Sequence, residues 1–304
     1  MAYPVAPGEP SYSGTYIPEI WSSKLLVKFY EGTVLTSVTN TAYEGEIRNH
    51  GDTVKIRDKP TVTIRDYAKG QNLQVEQPIA TVRELLIDKG KYFSFECKDL
   101  DKKQADINFV NSWSEDASEQ MKITIERDVF ANVYSDAAAA NKGATAGAIS
   151  GSYNMGVAGT PLLVTKENVI DYLVDARSVL AEQNVPEPDC FAILPVWMCN
   201  LIKKSDLKDA SLSGDAKSTL RTGLIGSIDG MTIYRSNLLD TVAGDSAWHA
   251  MVGHISAITF ATQLVENETL KNPFDFGDLH RGLQVYGYKT LKAESLVDLY
   301  AAKG

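Results

Sequence analysis

The four histidines are the residues of this 304-residue chain best suited to metal binding or proton transfer. Zinc sites combine histidines or cysteines at close spacing, as HExxH does. His249 and His254 are five residues apart in an apparent strand, so we expect their side chains on opposite faces. His50 and His280 are isolated in the sequence. The histidine pattern therefore predicts no metal site.

Motifs for nucleophilic or phosphate chemistry are also incomplete. Residues 147–151 read GAISG, but GxSxG requires the serine one place earlier than Ser150. No glycine and lysine complete the GxxxxGK[ST] spacing of a phosphate-binding loop. Asp99 and Asp101 could form an acid–base pair, but they suit the start of a helix equally well. The sequence predicts a protein that is not an enzyme and has no cofactor.

Composition excludes several further classes. Hydrophobic residues make up 44% of the chain and charged residues 23%, as in ordinary globular proteins. The net charge of -9 argues against a broad basic surface for nucleic acid. Three widely spaced cysteines form no CxxC pair and favour a reducing compartment. There is no signal-peptide pattern and no apolar stretch of 18 residues. We expect a protein made in the cytoplasm that spans no membrane.

The first 44 residues are interpreted as an N-terminal arm followed by a short helix. Prolines and glycines in residues 1–18 favour extended backbone. Two interpretations stay open, a loose tail and an arm that orders against a neighbouring molecule. Aromatic and apolar side chains favour the second, because a solvated tail gains nothing from them. The candidate contact residues are Tyr12, Tyr16, Ile17 and Trp21.

Residues 45–98 are predicted to form a long two-armed β loop with its tip near Gly70. Apolar residues alternate with polar ones in both arms, whereas the tip is polar and rich in turn residues. An isolated two-stranded ribbon is marginally stable in water. The loop is therefore expected to lie over another subunit. Its candidate contact residues are Asp66, Tyr67, Lys69, Gly70, Leu73, Val75 and Pro78.

Apolar residues at steps of three and four predict a long helix from about residue 101 to residue 138, within a segment assigned to residues 99–160. At 1.5 Å per residue this helix would be on the order of 50 Å long. We interpret it as a spine that faces the core. Its predicted core residues are Val110, Trp113, Met121, Ile125 and Val129.

The remaining chain is divided by a stretch rich in Gly, Ala and Ser. Residues 137–160 are of low complexity and are interpreted as a flexible linker at a domain boundary. Residues 161–270 then alternate helical and strand patterns, which predicts an α/β domain. Residues 271–304 are expected to return as strands to the sheet beside the spine helix.

Several phrases of this sequence resemble the major capsid (coat) proteins of tailed bacteriophages. Residues 17–26 (IPEIWSSKLL) resemble the start of such proteins, and residues 43–54 with residues 87–93 resemble the two arms of their extended loop. Residues 223–230 (GLIGSIDG) and 286–296 (YGYKTLKAESL) resemble their later domain. The resemblance spans nearly the whole chain, and the same fold occurs in encapsulins and herpesvirus shells.

The resemblance implies an α+β phage major capsid fold, with an N-terminal arm, an extended β loop, a peripheral domain around the spine helix and an axial α/β domain. It implies self-assembly of hexamers and pentamers into an icosahedral head shell that encloses double-stranded DNA without sequence-specific binding. Scaffolding, portal and decoration proteins would be further partners. An encapsulin-type nanocompartment and another phage structural protein, such as a tail or adhesin module, are the alternatives.

Overall fold

The computed structural model describes residues 30–42, 53–99, 103, 109–205, 226–242, 244, 246–273 and 275–304. The helices are α1 (Leu35–Val38), α2 (Phe109–Val133), α3 (Val169–Glu182) and α4 (Val196–Lys204). The strands are β1 (Thr53–Arg57), β2 (Val82–Leu86), β3 (Lys89–Lys98), β4 (Leu162–Val164), β5 (Cys190–Leu194), β6 (Ser227–Ile228), β7 (Met231–Arg235), β8 (Thr241–Val242), β9 (Ala247–His254), β10 (Ile258–Lys271), β11 (Gly277–Thr290) and β12 (Leu296–Lys303).

A three-stranded antiparallel sheet in the order β10–β11–β3 carries the spine helix α2 on one face. The period-two pattern of β3 puts every second side chain on the helix side, where Lys89 forms an ion pair with Asp128 of α2 at 2.8 Å. Tyr286 of β11 donates a hydrogen bond to the same carboxylate at 2.9 Å. The pKa of Asp128 lies below its usual range: burial raises it, but the bonds from Lys89 and Tyr286 outweigh burial.

The spine helix ends earlier than the sequence predicted. Its described span is Phe109–Val133, and a 3₁₀ turn at Tyr134–Asp136 follows it. Ala137 has extended backbone, with φ -55° and ψ 141°, so the helix cannot continue to residue 138. Ile125 and Val129 are buried in the core, whereas Trp113 is 46% exposed. The prediction of a core position for Trp113 was therefore wrong, because only the later turns of α2 face the main core.

A seven-stranded mixed sheet has the order β4–β12–β9–β5–β7–β6, with β8 paired to β9. Alternate residues of its central strand β5 enter two different cores. Ala192 and Leu194 pack with the residues of α3 and α4, whereas Phe191 and Ile193 pack with the end of α2. The sheet is therefore covered on both faces, which explains the unbroken apolar run of β5.

Three strands lie in other sheets than the sequence order suggested. The predicted two-armed loop included β3, which instead pairs with β11 over the whole of Lys89–Lys98. The predicted α/β domain included β10, which forms a hairpin with β11 beside α2. Strand β12 was expected beside the spine helix but lies between β4 and β9. Periodicity identifies a strand, but it does not identify the partner of that strand.

Residues 137–160 are folded against the core, although their composition predicted a flexible linker. Asn141 is fully buried and its amide donates to the carbonyl oxygens of Glu294 and Leu296. Met155 is buried, and its backbone carbonyl accepts a hydrogen bond from the amide of Tyr300 at 2.8 Å. Small residues with left-handed glycines, such as Gly156 (φ +85°), let this irregular chain approach β12 closely.

Helix α3 begins at Val169, four residues after Thr165. The side chain of Asn168 donates to the carbonyl of Leu163 and accepts from the backbone amide of Thr165. These bonds hold residues 165–168 in a turn between β4 and α3, so the helix starts at Val169. Strand β5 and helix α4 follow within the segment that was predicted to alternate helices and strands.

Candidate inter-subunit surface

The extended loop is a true hairpin only near its base. Strands β1 and β2 pair antiparallel from Thr53 with Leu86 to Arg57 with Val82. Beyond them, residues 58–81, here called the distal loop, run out and return through a turn at Lys69 and Gly70. Gly70 has φ +91°, a conformation that glycine adopts without strain. The predicted tip position is confirmed.

Side chains hold the two arms of the distal loop together. The guanidinium of Arg65 donates to the side-chain oxygen of Gln74 at 2.7 Å and to Glu76 at 3.4 Å. The carboxylate of Glu76 also accepts the backbone amide of Thr63 at 2.6 Å. No regular β ladder joins the arms between residues 59 and 80 of this described segment. These side-chain contacts keep the two arms side by side, but most of their backbone groups form no ladder hydrogen bonds.

Apolar side chains of the distal loop are exposed to an unusual degree. The exposed fractions are 90% for Ile64, 93% for Val75 and 88% for Ile79. Tyr67 and Leu73 are 72% and 78% exposed. An exposed apolar patch of this kind marks an interaction surface in a soluble protein. All seven predicted tip residues are exposed: Asp66, Tyr67, Lys69, Gly70, Leu73, Val75 and Pro78.

Sequence reasoning missed three apolar members of this surface, Val62, Ile64 and Ile79. Val62 and Ile64 were assigned to a β arm whose apolar side chains would share a face. The signal that could have identified them is the pair of prolines, because Val62 and Ile64 lie between Pro60 and Pro78, Ile79 directly follows Pro78, and proline weakens a ladder in this part of the loop.

The base of the loop is fixed firmly to the three-stranded sheet. Leu85 is fully buried in a small cluster with Ile56, Ile87, Ala261 and Leu291. The loop crosses the sheet at Gly287, where an added Cβ would lie 2.0 Å from the carbonyl oxygen of Leu86. The side chain of Arg83 contacts Asp58 and the carbonyl oxygen of Leu291. The subunit therefore holds the direction of the loop, while its distal part packs on no core among the described residues.

The predicted arm residues Tyr12, Tyr16, Ile17 and Trp21 lie outside the described residues. The first described segment, residues 30–38, is bound along the spine helix. The carboxylate of Glu126 accepts the backbone amides of Val34 and Leu35 at 2.8 and 2.9 Å. Burial raises the pKa of Glu126, and these two hydrogen bonds partly offset the effect.

Two further contacts continue this attachment toward the N-terminal end of α2. Arg127 pairs with Glu31 at 2.9 Å, and the hydroxyl of Tyr30 donates to Asp116 at 3.0 Å. Residues 34 to 30 thus run backward along α2, and Tyr30, the first described residue, lies beside Asp116 of that helix.

The predicted core residues of the spine helix divide by position. Ile125 and Val129 are buried, and Met121 packs against the same core while remaining partly accessible. Val110 is half-buried. Trp113 contacts the ring of Phe95 edge to face, at 5.8 Å between centroids.

The sequence reasoning missed the pair of His249 and Asp298. It is the most buried ion pair among those formed by the described residues, and it lies inside the fold. His249 Nδ1 lies 3.0 Å from both carboxylate oxygens of Asp298, and both side chains are about nine-tenths buried. The ring of Tyr134 stacks on the imidazole at 3.7 Å. Burial raises the pKa of Asp298, and His249 opposes that shift. The pair joins β9 to β12 within the seven-stranded sheet, and the stacked ring of Tyr134 connects it to the end of the spine helix.

The described residues contain no group of three His, Cys, Asp or Glu side chains arranged to hold a metal ion. In the same part of the chain, every helix is too short or too polar to cross a bilayer. The surface that stands out is therefore the distal loop, and its chemistry is that of protein–protein contact.

Comparison with known proteins agrees with this surface. A family described as phage capsid protein matches residues 83–292, more than half of the chain. The chain belongs to the phage capsid protein family. The resemblance to tailed-phage major capsid proteins noted in the sequence is thereby confirmed. No curated protein sequence matches the chain.

Solved structures show the same fold. A chain of Mycobacterium phage Che8 is 25% identical, with a TM-score of 0.77 over 95% of this chain and 98% of that chain. A capsid structure of the cyanophage P-SCSP1u is 14% identical, with a TM-score of 0.73 over 99% and 97%. The capsid of Ralstonia phage GP4 is 13% identical, with a TM-score of 0.64 over 97% of each chain. The predicted α+β capsid fold is confirmed.

This phage capsid protein is a major capsid shell protein and a component of the virion. Capsid proteins of this family are structural, and they assemble with copies of themselves into shells.

Proposed function

We propose that each subunit builds the head shell by laying its distal loop over a neighbouring copy. The main observation in support of this proposal is the exposure of Ile64, Val75 and Ile79, each at least 88%, on a loop whose base is fixed. A fixed base presents the loop in one direction, so its ordering costs little entropy when it binds. The contact would include the predicted tip residues from Asp66 to Pro78.

The expected energy of this contact is sufficient for assembly. Full burial of one Val, Leu or Ile side chain contributes roughly 1.5–3 kcal/mol before the costs of association. A standard stable interface buries about 1,600 Å² in total. Each subunit in a closed shell makes several such contacts, so their combined effect exceeds that of a single interface. Weak single contacts would also permit correction of errors during assembly.

The remaining parts of the subunit have proposed positions in the shell. The spine helix with the three-stranded sheet would form the peripheral domain, and the seven-stranded sheet the axial domain of hexamers and pentamers. The N-terminal arm would make a second contact between subunits through Tyr12, Tyr16, Ile17 and Trp21. The hydrogen bond of Tyr30, the first described residue after the arm, to Asp116 supports a contact with a neighbour at that end of α2.

We further propose an icosahedral shell that assembles in the host cytoplasm and encloses double-stranded DNA without sequence-specific binding. The net charge of -9 supports a container that does not adhere to its polyanionic content. Scaffolding, portal and decoration proteins are proposed partners at this stage. No catalytic role is assigned to any residue of the chain.

To test this proposal, Ile64, Val75 and Ile79 are replaced together by serine. The variant is expressed beside a matched control. The control replaces Thr61, Asn72 and Gln77, which are polar and exposed on the same loop, by serine. We expect the apolar variant to remain folded by circular dichroism but to sediment as free subunits, whereas the control forms shells. Normal shells from the apolar variant, seen by sedimentation and electron microscopy, would refute the proposed role. Deletion of residues 66–78 is a second, larger test.

A further inference from the structure

A buried carboxylate on the spine helix holds the segment that follows the predicted N-terminal arm. Glu126 is 1% exposed, and its Oε2 accepts the backbone amides of Val34 and Leu35 at 2.8 and 2.9 Å. Its Oε1 is buried too, and it has no hydrogen-bond partner of normal geometry within the described part of the chain. A carboxylate removed from water needs a cation or a full set of donors. Half of this carboxylate has neither, so its negative charge is unfavourable in the folded subunit.

The charged side chains near Glu126 on α2 and on the bound segment are engaged with each other. Lys122 pairs with Glu119 at 2.7 Å, and Arg127 pairs with Glu31 at 2.9 Å. Burial and hydrogen bonds alone shift the pKa of Glu126, and none of these four charges contributes to the shift. The carboxylate therefore has no counter-ion on either of these two elements.

The turn after β7 closes another side of the same carboxylate. Ser236 is 2% exposed, and its hydroxyl oxygen accepts the backbone amide of Leu238 at 3.1 Å, which leaves the hydroxyl proton for another acceptor. The hydroxyl lowers the pKa of Glu126, but by less than burial raises it. The charged residues that flank this turn, Arg235 and Asp240, do not contribute to the shift. Neutral donors from two elements thus face a buried anion on a third.

The binding of residues 30–36 to α2 therefore depends on pH. While the segment is bound, burial raises the pKa of Glu126 above its ordinary value of 4.5. Release of the segment lets water reach the carboxylate, so its pKa returns toward that ordinary value. The bound state holds the proton more tightly, and binding weakens as pH rises from 4.5 through the raised pKa. A proton on Oε1 would remove the buried charge and leave Oε2 to accept both amides.

We propose that Glu126 is a latch that acid tightens and that holds the segment from which the N-terminal arm extends. The other end of this segment is fixed at Asn40, which forms two backbone hydrogen bonds with β10. Tyr30 and Glu31 make only exposed contacts, and exposed ion pairs contribute little. Glu126 is thus the buried contact that controls whether residues 30–36 stay on α2. It acts within one subunit, so the inference does not depend on the proposed contact of the distal loop.

Hydrogen exchange of the intact chain tests the latch, with mass spectrometry of peptides that cover residues 30–40. Correction for the intrinsic effect of pH on exchange gives an opening constant at each pH. We expect the wild-type opening constant to rise between about pH 5 and pH 8, by no more than about tenfold per pH unit, the limit for one proton. An opening constant that is flat or falls over this range would overturn the inference.

Glu126→Gln supplies the decisive comparison, because glutamine keeps an acceptor for the two amides and cannot ionise. We expect its opening constant to vary by less than about twofold over the same range and to lie below that of the wild type at pH 8. Wild-type pH dependence in this variant would show that another group titrates. The matched control is Glu115→Gln, which alters an exposed carboxylate on the same helix and should keep the wild-type pH dependence. Loss of pH dependence in the control would also contradict the assignment to Glu126.

The amides of β5 separate opening of the segment from unfolding of the subunit, because that strand is covered on both faces. Glu126→Ala removes both hydrogen bonds, so we expect residues 30–36 to exchange faster at every pH while β5 stays protected. If this variant fails to fold, the comparison of the wild type with Glu126→Gln gives the result alone. Exchange of residues 30–36 at the same rate as β5 at every pH would overturn the latch, since the segment would then open only with the whole subunit.

Discussion

At the residue scale, close backbone approaches depend on particular glycines. Gly156 and Gly159 both have left-handed φ, +85° and +84°. A Cβ on Gly156 would lie 2.2 Å from the carbonyl oxygen of Tyr300, whereas one on Gly159 would meet nothing within 4 Å. The two positions therefore share the backbone cost of a side chain and differ only in the steric clash.

We predict that Gly159→Ala lowers the free energy of unfolding by about 1–2 kcal/mol, the cost of left-handed backbone. Gly156→Ala should cost roughly 1–3 kcal/mol more, because β12 must shift away from residues 155–156. Urea unfolding of the assembly-deficient loop variant, carrying each substitution in turn, measures both. Equal losses at the two positions would show that the segment does not press against β12.

The His249–Asp298 pair is the second feature at this scale. Removal of one partner from a buried pair leaves the other charge or polar group without compensation. We predict that Asp298→Ala and His249→Ala each lower the free energy of unfolding by about 3 kcal/mol. The double variant should lose at least about 1 kcal/mol less than their sum, because the two side chains act on each other.

A suitable control for this pair is Glu167→Ala. Glu167 is exposed and forms only a long surface ion pair with Lys166 at 3.9 Å. Its loss should change stability by less than about 0.5 kcal/mol. Strict additivity of the His249 and Asp298 substitutions would contradict the coupling.

Cys199 gives a prediction for alkaline pH. Burial raises the pKa of its thiol from an ordinary value of 9.0 to about 11, against the opposing charges of Arg235 and Lys203. The unfolded chain therefore loses this proton first as pH rises, and the free energy of unfolding falls between pH 9 and pH 11. Cys199→Ala should reduce that fall in urea unfolding at pH 8 and pH 10. An unchanged difference between the two pH values would mean that the thiol is accessible in the folded protein.

At the element scale, the base and the distal part of the extended loop have different tasks. The base is a short hairpin whose inner face belongs to the core of the three-stranded sheet, whereas the distal loop has no such face. Leu85 and Leu86 are adjacent in β2 and point to opposite sides, being 0% and 51% exposed. The buried face of the base and its exposed face are therefore represented by two adjacent residues.

We predict that Leu85→Ala costs about 2–4 kcal/mol of stability and loosens the base of the loop. Limited proteolysis should then cut near residues 58–81 faster than in the wild type. Leu86→Ala, the matched control, should leave both stability and cleavage rate nearly unchanged in the free subunit. Similar cleavage of the two variants would argue that Leu85 does not hold the loop.

At the scale of the whole molecule, the two cores share one sheet. Phe191 and Ile193 of β5 belong to the core beneath the spine helix, and Ala192 and Leu194 belong to the core beneath α3 and α4. Loss of packing in one core would expose one face of the sheet on which the other core also packs. Shared strands of this kind favour cooperative unfolding of both halves.

We predict a single unfolding transition for the free subunit, although the chain contains two sheets. Trp113 lies beside the three-stranded sheet, and Trp197 packs on Trp248 at 5.5 Å beside the large sheet. Fluorescence of variants that retain only Trp113, or only Trp197 and Trp248, should change at the same urea concentration. Two separate midpoints would show that the sheets form independent units.

Much of this organisation follows from the sequence alone. Alternation and helical spacing identified the loop with its tip at Gly70 and the spine helix α2, because local periodicity reflects which side of an element is buried. Quoted phrases identified the capsid family. The acidic balance and the incomplete catalytic motifs already directed attention to assembly and away from chemistry.

Tertiary structure alone decided which elements meet. The pairing of β3 with β11, the place of β12 between β4 and β9, and the contact of His249 with Asp298 join residues far apart in the chain, and no local pattern encodes such partners. Residues 137–160 had the composition of a linker, yet buried hydrogen bonds from Asn141 fix them to the core. Local sequence thus sets the shape of each element, whereas contacts between distant residues determine what each element covers and what it leaves for a neighbouring subunit.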